Sequence, residues 1–318
     1  MNQAKAIQNN IIESELPHLF FEEHLQALKD RIEDAMDGYP PFVDCVLGPS
    51  RVGKGALIRG LERDHPRLLE DGAHRVPLLV VPVPSPATPK LLPRSVLIAL
   101  GIPLPSTNLS TAFLYERMAR QLKLAKTRVI LFDESGHIVD KGTKVSARAA
   151  GDWFKQLVDQ LNVSVVFFGI PQFEKLLDSN EQLRYRCGAV MRFNPYAWSA
   201  PDEQRQFAAC VVTYAKFFEK GGIRFTFDLE PLVRNCYLLS GGLIGIVNEF
   251  MVRLANDLAR SKGQEISFEQ CATTAQKIQI AVASEHVPFA EANVPSVKLH
   301  AVHTAVLDEA LVRRRKTH

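Results

Sequence analysis

The chain has 318 residues, enough for about two domains. Apolar residues make up 46% of the chain and charged residues 23%, as in folded globular proteins, which excludes a disordered or fibrous chain. The net charge of only +3 excludes a chain that is basic throughout, so any surface for nucleic acid must be local.

Cysteine usage and apolar runs bear on the compartment. The five cysteines are far apart and form no CxxC pair, so we expect neither a disulfide framework nor a zinc site, and we expect a reducing cytoplasm. The longest apolar runs, such as Val163 to Ile170, are under half the roughly 18 residues that a membrane span needs. The N-terminus MNQAKAIQNN lacks the pattern of a signal peptide.

Along the first 195 residues, predicted strands alternate with predicted helices. Residues 1–15 are polar, and we expect them to be frayed. Apolar residues at steps of three and four then predict a helix from Phe21 to Met36, which Gly38 ends. The other predicted elements are strands at 42–47, 77–81, 128–132, 163–168 and 188–193 and helices at 54–63, 93–100, 110–125 and 145–161. This alternation predicts an α/β domain with a parallel sheet of five strands.

After Pro195 the pattern becomes helical. The segments 201–220, 228–239, 243–260 and 267–283 have helical periodicity, and the last 35 residues have no clear pattern. We therefore predict an N-terminal helical segment (1–40), an α/β nucleotide-binding domain (41–197), a small helical domain (198–283) and a C-terminal tail (284–318).

The first predicted strand runs into a loop that matches GxxxxGK, the phosphate-binding Walker A motif. Its glycines allow backbone N–H groups to face a phosphate chain, and the next helix presents its positive end to it. Lys54 is expected to reach the β- and γ-phosphates of ATP. Gly55 stands where the motif carries the Ser or Thr that binds Mg²⁺. The alternative for the whole loop is a Gly-rich turn without function. The predicted ATP-contacting residues are Gly48, Pro49, Ser50, Arg51, Val52, Gly53, Lys54, Gly55 and Ala56.

A second motif follows the third predicted strand. Val129 to Phe132 are apolar, and Asp133 and Glu134 come directly after them, which is the Walker B pattern. Asp133 is predicted to hold Mg²⁺, and Glu134 is predicted to orient the attacking water in phosphoryl transfer. Solvation of a loop is the alternative for two such carboxylates.

Two arginines precede the fifth predicted strand. Arg184 and Arg186 lie in the segment QLRYR, from which one of them could reach the nucleotide of a neighbouring subunit as an arginine finger. A solvated helix end is the alternative for either residue.

The segments GPSRVGKG, LFDESGHI and FFGIPQFEKLLDSNEQLRYR resemble the TniB/TnsC-type transposon ATPases of the AAA+ superfamily. The resemblance implies a P-loop domain followed by a helical lid. It also implies an ATP-dependent regulator that assembles as a ring or filament on duplex DNA, without sequence preference. The implied partners are the transposase and a TniQ-type target-selection protein.

Two basic clusters are candidate DNA contacts, because non-specific duplex binding needs cations that face phosphates. Lys90 and Arg94 lie in and after a proline-rich loop, and Lys141, Lys144 and Arg148 follow the Walker B motif. A solvated charged loop is the alternative for each cluster.

Two departures from the resemblance predict slow hydrolysis. Gly55 removes a hydroxyl ligand of Mg²⁺, and SGGLIG at 240–245 lacks the arginine that AAA+ lids often carry at this helix start.

Two other functions stay open, namely a nucleotide-switched signalling or scaffold NTPase that does not bind DNA and a clamp-loader-like or initiator-like AAA+ protein.

Overall fold

The computed structural model describes residues 3–13, 19–70, 72–105, 108–138, 147–261, 263–278 and 286–315. The chain divides into two compact units. The sheet unit consists mainly of Glu22–Pro49 and Lys54–Phe193. The helical unit consists of the N-terminal segment up to Phe21, the short segment Ser50–Gly53, and Asn194–Val312. Ser50–Gly53 thus belongs to the helical unit, although along the chain it separates two segments of the sheet unit.

The secondary structure elements are numbered along the chain. The strands are β1 (Val43–Leu47), β2 (Leu68–Glu70), β3 (Ala73–Arg75), β4 (Leu78–Pro82), β5 (Val129–Asp133), β6 (Ser164–Gly169), β7 (Cys187–Arg192), β8 (Arg224–Phe225) and β9 (Glu265–Ile266). The α-helices are α1 (Gln3–Glu13), α2 (Leu19–Met36), α3 (Lys54–Asp64), α4 (Leu91–Ala99), α5 (Thr111–Leu124), α6 (Ala147–Leu161), α7 (Glu174–Ser179), α8 (Glu181–Arg186), α9 (Pro201–Lys220), α10 (Leu229–Ser240), α11 (Ile244–Ser261), α12 (Phe268–Ala275) and α13 (Ser296–Arg315). Short 3₁₀ turns follow β5 and β6 at Ser135–Ile138 and Pro171–Phe173.

The sheet unit is built on a parallel sheet of five strands in the order β4-β5-β6-β1-β7, which confirms the predicted fold class. Leu47 at the end of β1 pairs with Gly169 at the end of β6, and Phe132 of β5 pairs with Phe167 of β6. Because parallel strands end at the same edge of the sheet, the segments after β1 and β5 emerge at one edge, with β6 between their strands.

The centre of the sheet is buried on both faces. Every residue of β1 and β6 is buried, as are the first four of β5, which explains why these strands have continuous apolar sequences rather than alternating ones. The rings of Phe154 on α6, Phe132 on β5 and Phe167 on β6 contact one another, with centroids 4.7 to 5.8 Å apart. This aromatic cluster fixes α6 against the strand that carries the Walker B motif.

The helical unit contains α9 to α12 close to where the sequence predicts helices. α10 ends at Gly241, whose positive φ of 58° is the left-handed conformation common at helix ends. Gly242 follows with φ of 93°, and a Cβ there would lie 2.2 Å from the carbonyl oxygen of Tyr196, so this turn requires glycine. In the described part of the chain no single helix is long and apolar enough to cross a membrane; α10 and α11 together reach that length and apolarity but are bent by 118°.

Both ends of the chain differ from the prediction. Residues 3–13, expected to be frayed, form α1, which packs on α11 and α9, and its Ile7 and Ile11, one helical turn apart, are buried. Residues 296–315, expected to lack a pattern, form α13, in which Leu299, Val302 and Val306 are buried. Two or three apolar residues at helical spacing suffice when a packed surface is present, but they are too few to be a sequence signal.

Two short strand pairs were outside the prediction. β2 pairs with β3 in antiparallel fashion within the sheet unit, and β8 pairs with β9 in parallel within the helical unit. Strands of two or three residues are too short for an alternating pattern to be recognised, because such a pattern needs at least four residues.

Candidate nucleotide-binding site

The predicted ATP-contacting residues form one loop between β1 and α3. Gly48 is buried, and its N–H donates to the carbonyl of Gly169 at 3.1 Å, which fixes the start of the loop to the end of β6. Arg51 and Gly53 have positive φ angles of 65° and 122°. These left-handed residues reverse the backbone within the loop, as a phosphate-binding turn requires.

Lys54 is the first residue of α3 and points back over the loop. Its Nζ donates to the carbonyl oxygens of Gly48 at 2.7 Å and Pro49 at 2.8 Å. Burial lowers the pKa of Lys54 to about 8, against an opposing influence of the Asp133 carboxylate. Among the described residues Lys54 makes no ion pair, and its hydrogen bonds go to backbone carbonyls.

The Walker B carboxylates lie at the end of β5. Burial raises the pKa of Asp133, and the neighbouring Glu134 charge adds to this, while the Glu134 N–H and Lys54 act in the opposite direction. The Glu134 N–H donates to Oδ1 of Asp133 at 2.8 Å. The Glu134 side chain is exposed, and its backbone has a positive φ of 54°.

The donor set fits MgATP with one protein carboxylate on the metal. Mg²⁺ prefers oxygen ligands and commonly keeps several waters beside one or two carboxylates and the substrate phosphates, so Asp133 alone meets the minimum. Gly55 offers no hydroxyl, yet it is exposed, and a Cβ built on it meets only Nη1 of Arg59, at 3.5 Å, among the described residues. A Cβ at position 55 would therefore fit.

The structure distinguishes the two candidate finger arginines on α8. Arg186 forms a two-pronged ion pair with Asp159 of α6, with both N–O distances at 3.1 Å. Arg184 is exposed and lies 5.6 Å from the ring centroid of Tyr185, itself 74% exposed. α8 leads directly into β7, an edge strand of the sheet, so of the two candidates Arg184 is the one that a neighbouring molecule could contact.

The predicted DNA contacts are only partly described. Lys90 is half-buried at the start of α4 and hydrogen-bonds the side chain of Asn108, while Arg94 is exposed one turn later. Both line a cavity of about 160 Å³. Lys141 and Lys144 lie outside the described residues, and of Arg148 only the backbone in α6 is described.

Sequence reasoning missed the contacts of Arg51 in the helical unit. Its guanidinium forms an ion pair with Glu249 of α11, and its carbonyl accepts from the N–H of Gly245 at 2.9 Å. A Cβ at Gly245 would lie 2.5 Å from that carbonyl oxygen, so glycine permits the approach. Burial would raise the pKa of Glu249, but hydrogen bonds from Arg51 and Arg253 lower it overall. The only sequence signal for this contact is the glycine at 245.

Comparisons with known proteins place the fold. The chain is similar to Cdc6p from Pyrobaculum aerophilum (TM-score 0.64, 13% identity, covering 95% of this chain and 84% of that one). It is also similar to the Aeropyrum pernix ORC1 protein solved in complex with DNA (TM-score 0.63, 17% identity, covering 85% and 69%). The Aeropyrum pernix ORC2 protein, solved as ADPNP-ADP complexes, gives a TM-score of 0.62 at 10% identity, covering 87% and 72%. At these identities the likeness concerns the fold alone, which is that of AAA+ ATPases.

The family is given by sequence. No curated protein matches the chain. A family model described as bacterial TniB protein matches residues 21–195, more than half of the chain. This range holds the phosphate loop, the Walker B carboxylates and both candidate finger arginines, and it confirms the resemblance drawn from those motifs. The chain belongs to the TniB family of AAA+ ATPases.

Proposed function

We propose that this protein is an ATP-dependent regulator of DNA transposition that assembles on duplex DNA and connects target-site selection to the transposase. Membership of the TniB family supports the role, and the resemblance of its motifs to TniB/TnsC-type ATPases supports assembly as a ring or filament. A TniQ-type protein is the proposed target-selection partner. The proposed compartment is the cytoplasm, where the five free cysteines stay reduced.

ATP binding is supported by the phosphate loop, over which Lys54 lies with its Nζ on the carbonyls of Gly48 and Pro49, and by the charges of Lys54 and Asp133. Burial disfavours the charged form of both, since it lowers the pKa of Lys54 to about 8 and raises that of Asp133. A triphosphate brings negative charge to Lys54, and a divalent cation brings positive charge to Asp133. MgATP would therefore relieve both penalties at once.

The proposed domains follow from this site. Residues 41–197 form the nucleotide-binding domain and residues 198–283 the lid, with the N-terminal segment 1–40 and the C-terminal segment 284–318 flanking them. The C-terminal part of the helical unit begins at Asn194, close to the proposed boundary, and the unit also contains α1 and most of α13 from the flanking segments.

Hydrolysis would be carried by three residues with separate tasks. When bound, Mg²⁺ supplies charge neutralisation on the β- and γ-phosphate oxygens. Glu134 orients the attacking water, and Lys54 holds the phosphates. Arg184 of a neighbouring copy stabilises the charge on the transferred group, whereas Arg186 is engaged with Asp159. The missing hydroxyl at Gly55 leaves the metal less rigidly held, and each 1.4 kcal/mol or so lost in the transition state costs about tenfold in rate.

Duplex DNA is the proposed ligand of the cationic residues near α4. Lys90 and Arg94 lie one helical turn apart and line the same cavity, so they could contact one phosphate together. Lys141, Lys144 and Arg148 are proposed as a second contact by their charge and their position after the Walker B strand. The ORC1 protein to which the chain is similar was solved in complex with DNA.

An initiator-like role is the second candidate, because the similar solved structures include Cdc6p and ORC proteins. A winged helix of the kind that initiators carry needs an antiparallel β-hairpin. In the described residues after 194 the strands are β8 and β9, of two residues each and parallel. This part of the chain therefore favours the transposition regulator.

Electron microscopy and fluorescence anisotropy test the proposal together. With ATP and short duplexes of two unrelated sequences, we expect rings or filaments and equal affinities, whereas Lys54→Ala should give neither. A strong preference for one sequence would favour the initiator, and ATP-dependent assembly that ignores DNA would favour a scaffold. Either result would overturn the proposed role.

A matched pair of double variants tests the DNA contact. Lys90→Ala with Arg94→Ala should weaken binding to both duplexes and reduce the slope of log affinity against log salt by about one, because the phosphate contact that they share is lost. Arg120→Ala with Lys123→Ala removes the same charge from the exposed face of α5 and should change the slope little. Equal slopes in the two double variants would remove Lys90 and Arg94 from the DNA contact.

A further inference from the structure

The backbone at the candidate catalytic carboxylate is in a conformation that needs an explanation. Glu134 has φ of 54°, a left-handed conformation that is unfavourable for a residue with a side chain and is kept only where its surroundings enforce it. Such residues gather at functional sites. The 3₁₀ turn Ser135–Ile138 follows Glu134 directly.

The turn is tied to its surroundings by one hydrogen bond and one close packing contact, and a second hydrogen bond closes it. The buried hydroxyl of Ser135 donates to the carbonyl of Phe132 at 2.8 Å, and the N–H of His137 donates to the carbonyl of Glu134 at 3.0 Å. A Cβ at Gly136 would lie 2.9 Å from Cγ1 of Ile170, so the turn packs closely on the segment after β6. The turn therefore has little freedom to move relative to the two central strands.

The fixed turn brings His137 beside the carboxylate. Nε2 of His137 lies 3.5 Å from Oε2 of Glu134, and the two side chains are 34% and 67% exposed. This distance is longer than that of a good hydrogen bond, so the imidazole limits where the carboxylate can lie without taking up one of its lone pairs. A carboxylate that must accept from a water needs this kind of restraint, because it has to be aimed and still available.

We propose that His137 is a positioning residue for Glu134, which sets the direction of its carboxylate so that the attacking water is aligned when ATP is bound. The inference rests on the proposed ATPase function and adds a residue to it. His137 acts through Glu134 and touches neither nucleotide nor metal in this role. The turn that follows the left-handed backbone of Glu134 keeps the two side chains beside each other.

The test separates positioning from folding and from binding. His137→Ala should lower kcat about tenfold, a smaller loss than that on removing the catalytic carboxylate, and leave KM and ATP affinity within about twofold. His137→Gln keeps an N–H donor and should recover part of kcat. His74→Ala, at an exposed histidine of the hairpin β2–β3, is the matched control and should change neither parameter. Melting temperatures measured on all variants report folding.

A double-variant cycle decides the route of the effect. In single-turnover measurements, Glu134→Gln and Glu134→Gln with His137→Ala should have the same residual rate, because His137 has no carboxylate left to aim. An unchanged kcat in a folded His137→Ala protein, or the same tenfold loss in the Glu134→Gln background, would overturn the proposal. If the parent protein binds no ATP, the proposed function fails; if it hydrolyses ATP and His137→Ala does so equally well, only this inference fails.

Discussion

Replacing Lys54 by methionine should remove a pH dependence of stability that the folded protein owes to one buried amine. Burial lowers the pKa of Lys54 from its ordinary 10.5 to about 8. Below pH 8 the amine is charged in both the folded and the unfolded chain, so the folded protein carries the full cost of burying the charge. Above 10.5 the amine is neutral in both states and the cost is absent.

The free energy of unfolding contributed by Lys54 changes between these two pH values. There the unfolded chain binds a proton that the folded chain does not, so the free energy of unfolding rises with pH. With pKa values of 10.5 and about 8, the rise from pH 7 to pH 9.5 amounts to about 2 kcal/mol. Lys54→Met has no amine to titrate, and its difference from the parent protein should change by this amount over the same interval.

Urea unfolding at several pH values measures this difference. A Trp198→Phe background leaves Trp153, buried on α6 in the sheet unit, as the one fluorescent tryptophan of the two in the sequence. Lys123→Met, at an exposed lysine of α5, is the control and should run parallel to the parent protein. If Lys54→Met also runs parallel to the parent from pH 7 to 9.5, the amine is not buried as described, and the charge argument for ATP binding loses its basis.

Three further variants test the other site residues. Glu134→Gln should bind ATP normally and leave longer-lived assemblies on DNA, as seen by gel filtration, and loss of ATP binding would contradict its assignment to the water. Arg184→Ala should lose ATPase activity, and mixing it with inactive Lys54→Ala protein should restore part of that activity. The same mixture made with Arg186→Ala should show little change from the unmixed proteins. Equal rescue by the two arginine variants would contradict the choice of Arg184. Gly55→Ser should raise the turnover rate severalfold, since a Cβ fits there and the hydroxyl supplies a ligand oxygen, and an unchanged rate in a folded variant would remove Gly55 as its cause.

The central sheet and the phosphate loop were predictable because their signals are local. β1, β5 and β6 are buried on both faces, so each appears as a continuous apolar run, and the loop and carboxylates directly follow such runs. A motif whose residues are neighbours in sequence can be recognised without knowledge of the fold.

Other parts of the site depend on contacts between distant residues. Arg51 and Glu249 are 198 positions apart, and neither residue type indicates the pairing. Arg184 and Arg186 look alike in sequence, and only the position of Asp159 on α6 separates them. The 3₁₀ turn after Glu134 is likewise too short to have a recognisable pattern.

The start of α11 has a consequence for exchanging parts between relatives. Leu243, Ile244, Ile246 and Val247 are buried there, and Gly242 and Gly245 admit no Cβ, so none of these positions can take the arginine that AAA+ lids often carry. In this chain the arginine lies on the phosphate loop, at Arg51, and the helix supplies the carboxylate of Glu249. A chimera that imports the helix alone would leave Arg51 without its carboxylate, so loop and helix have to be transplanted as a pair.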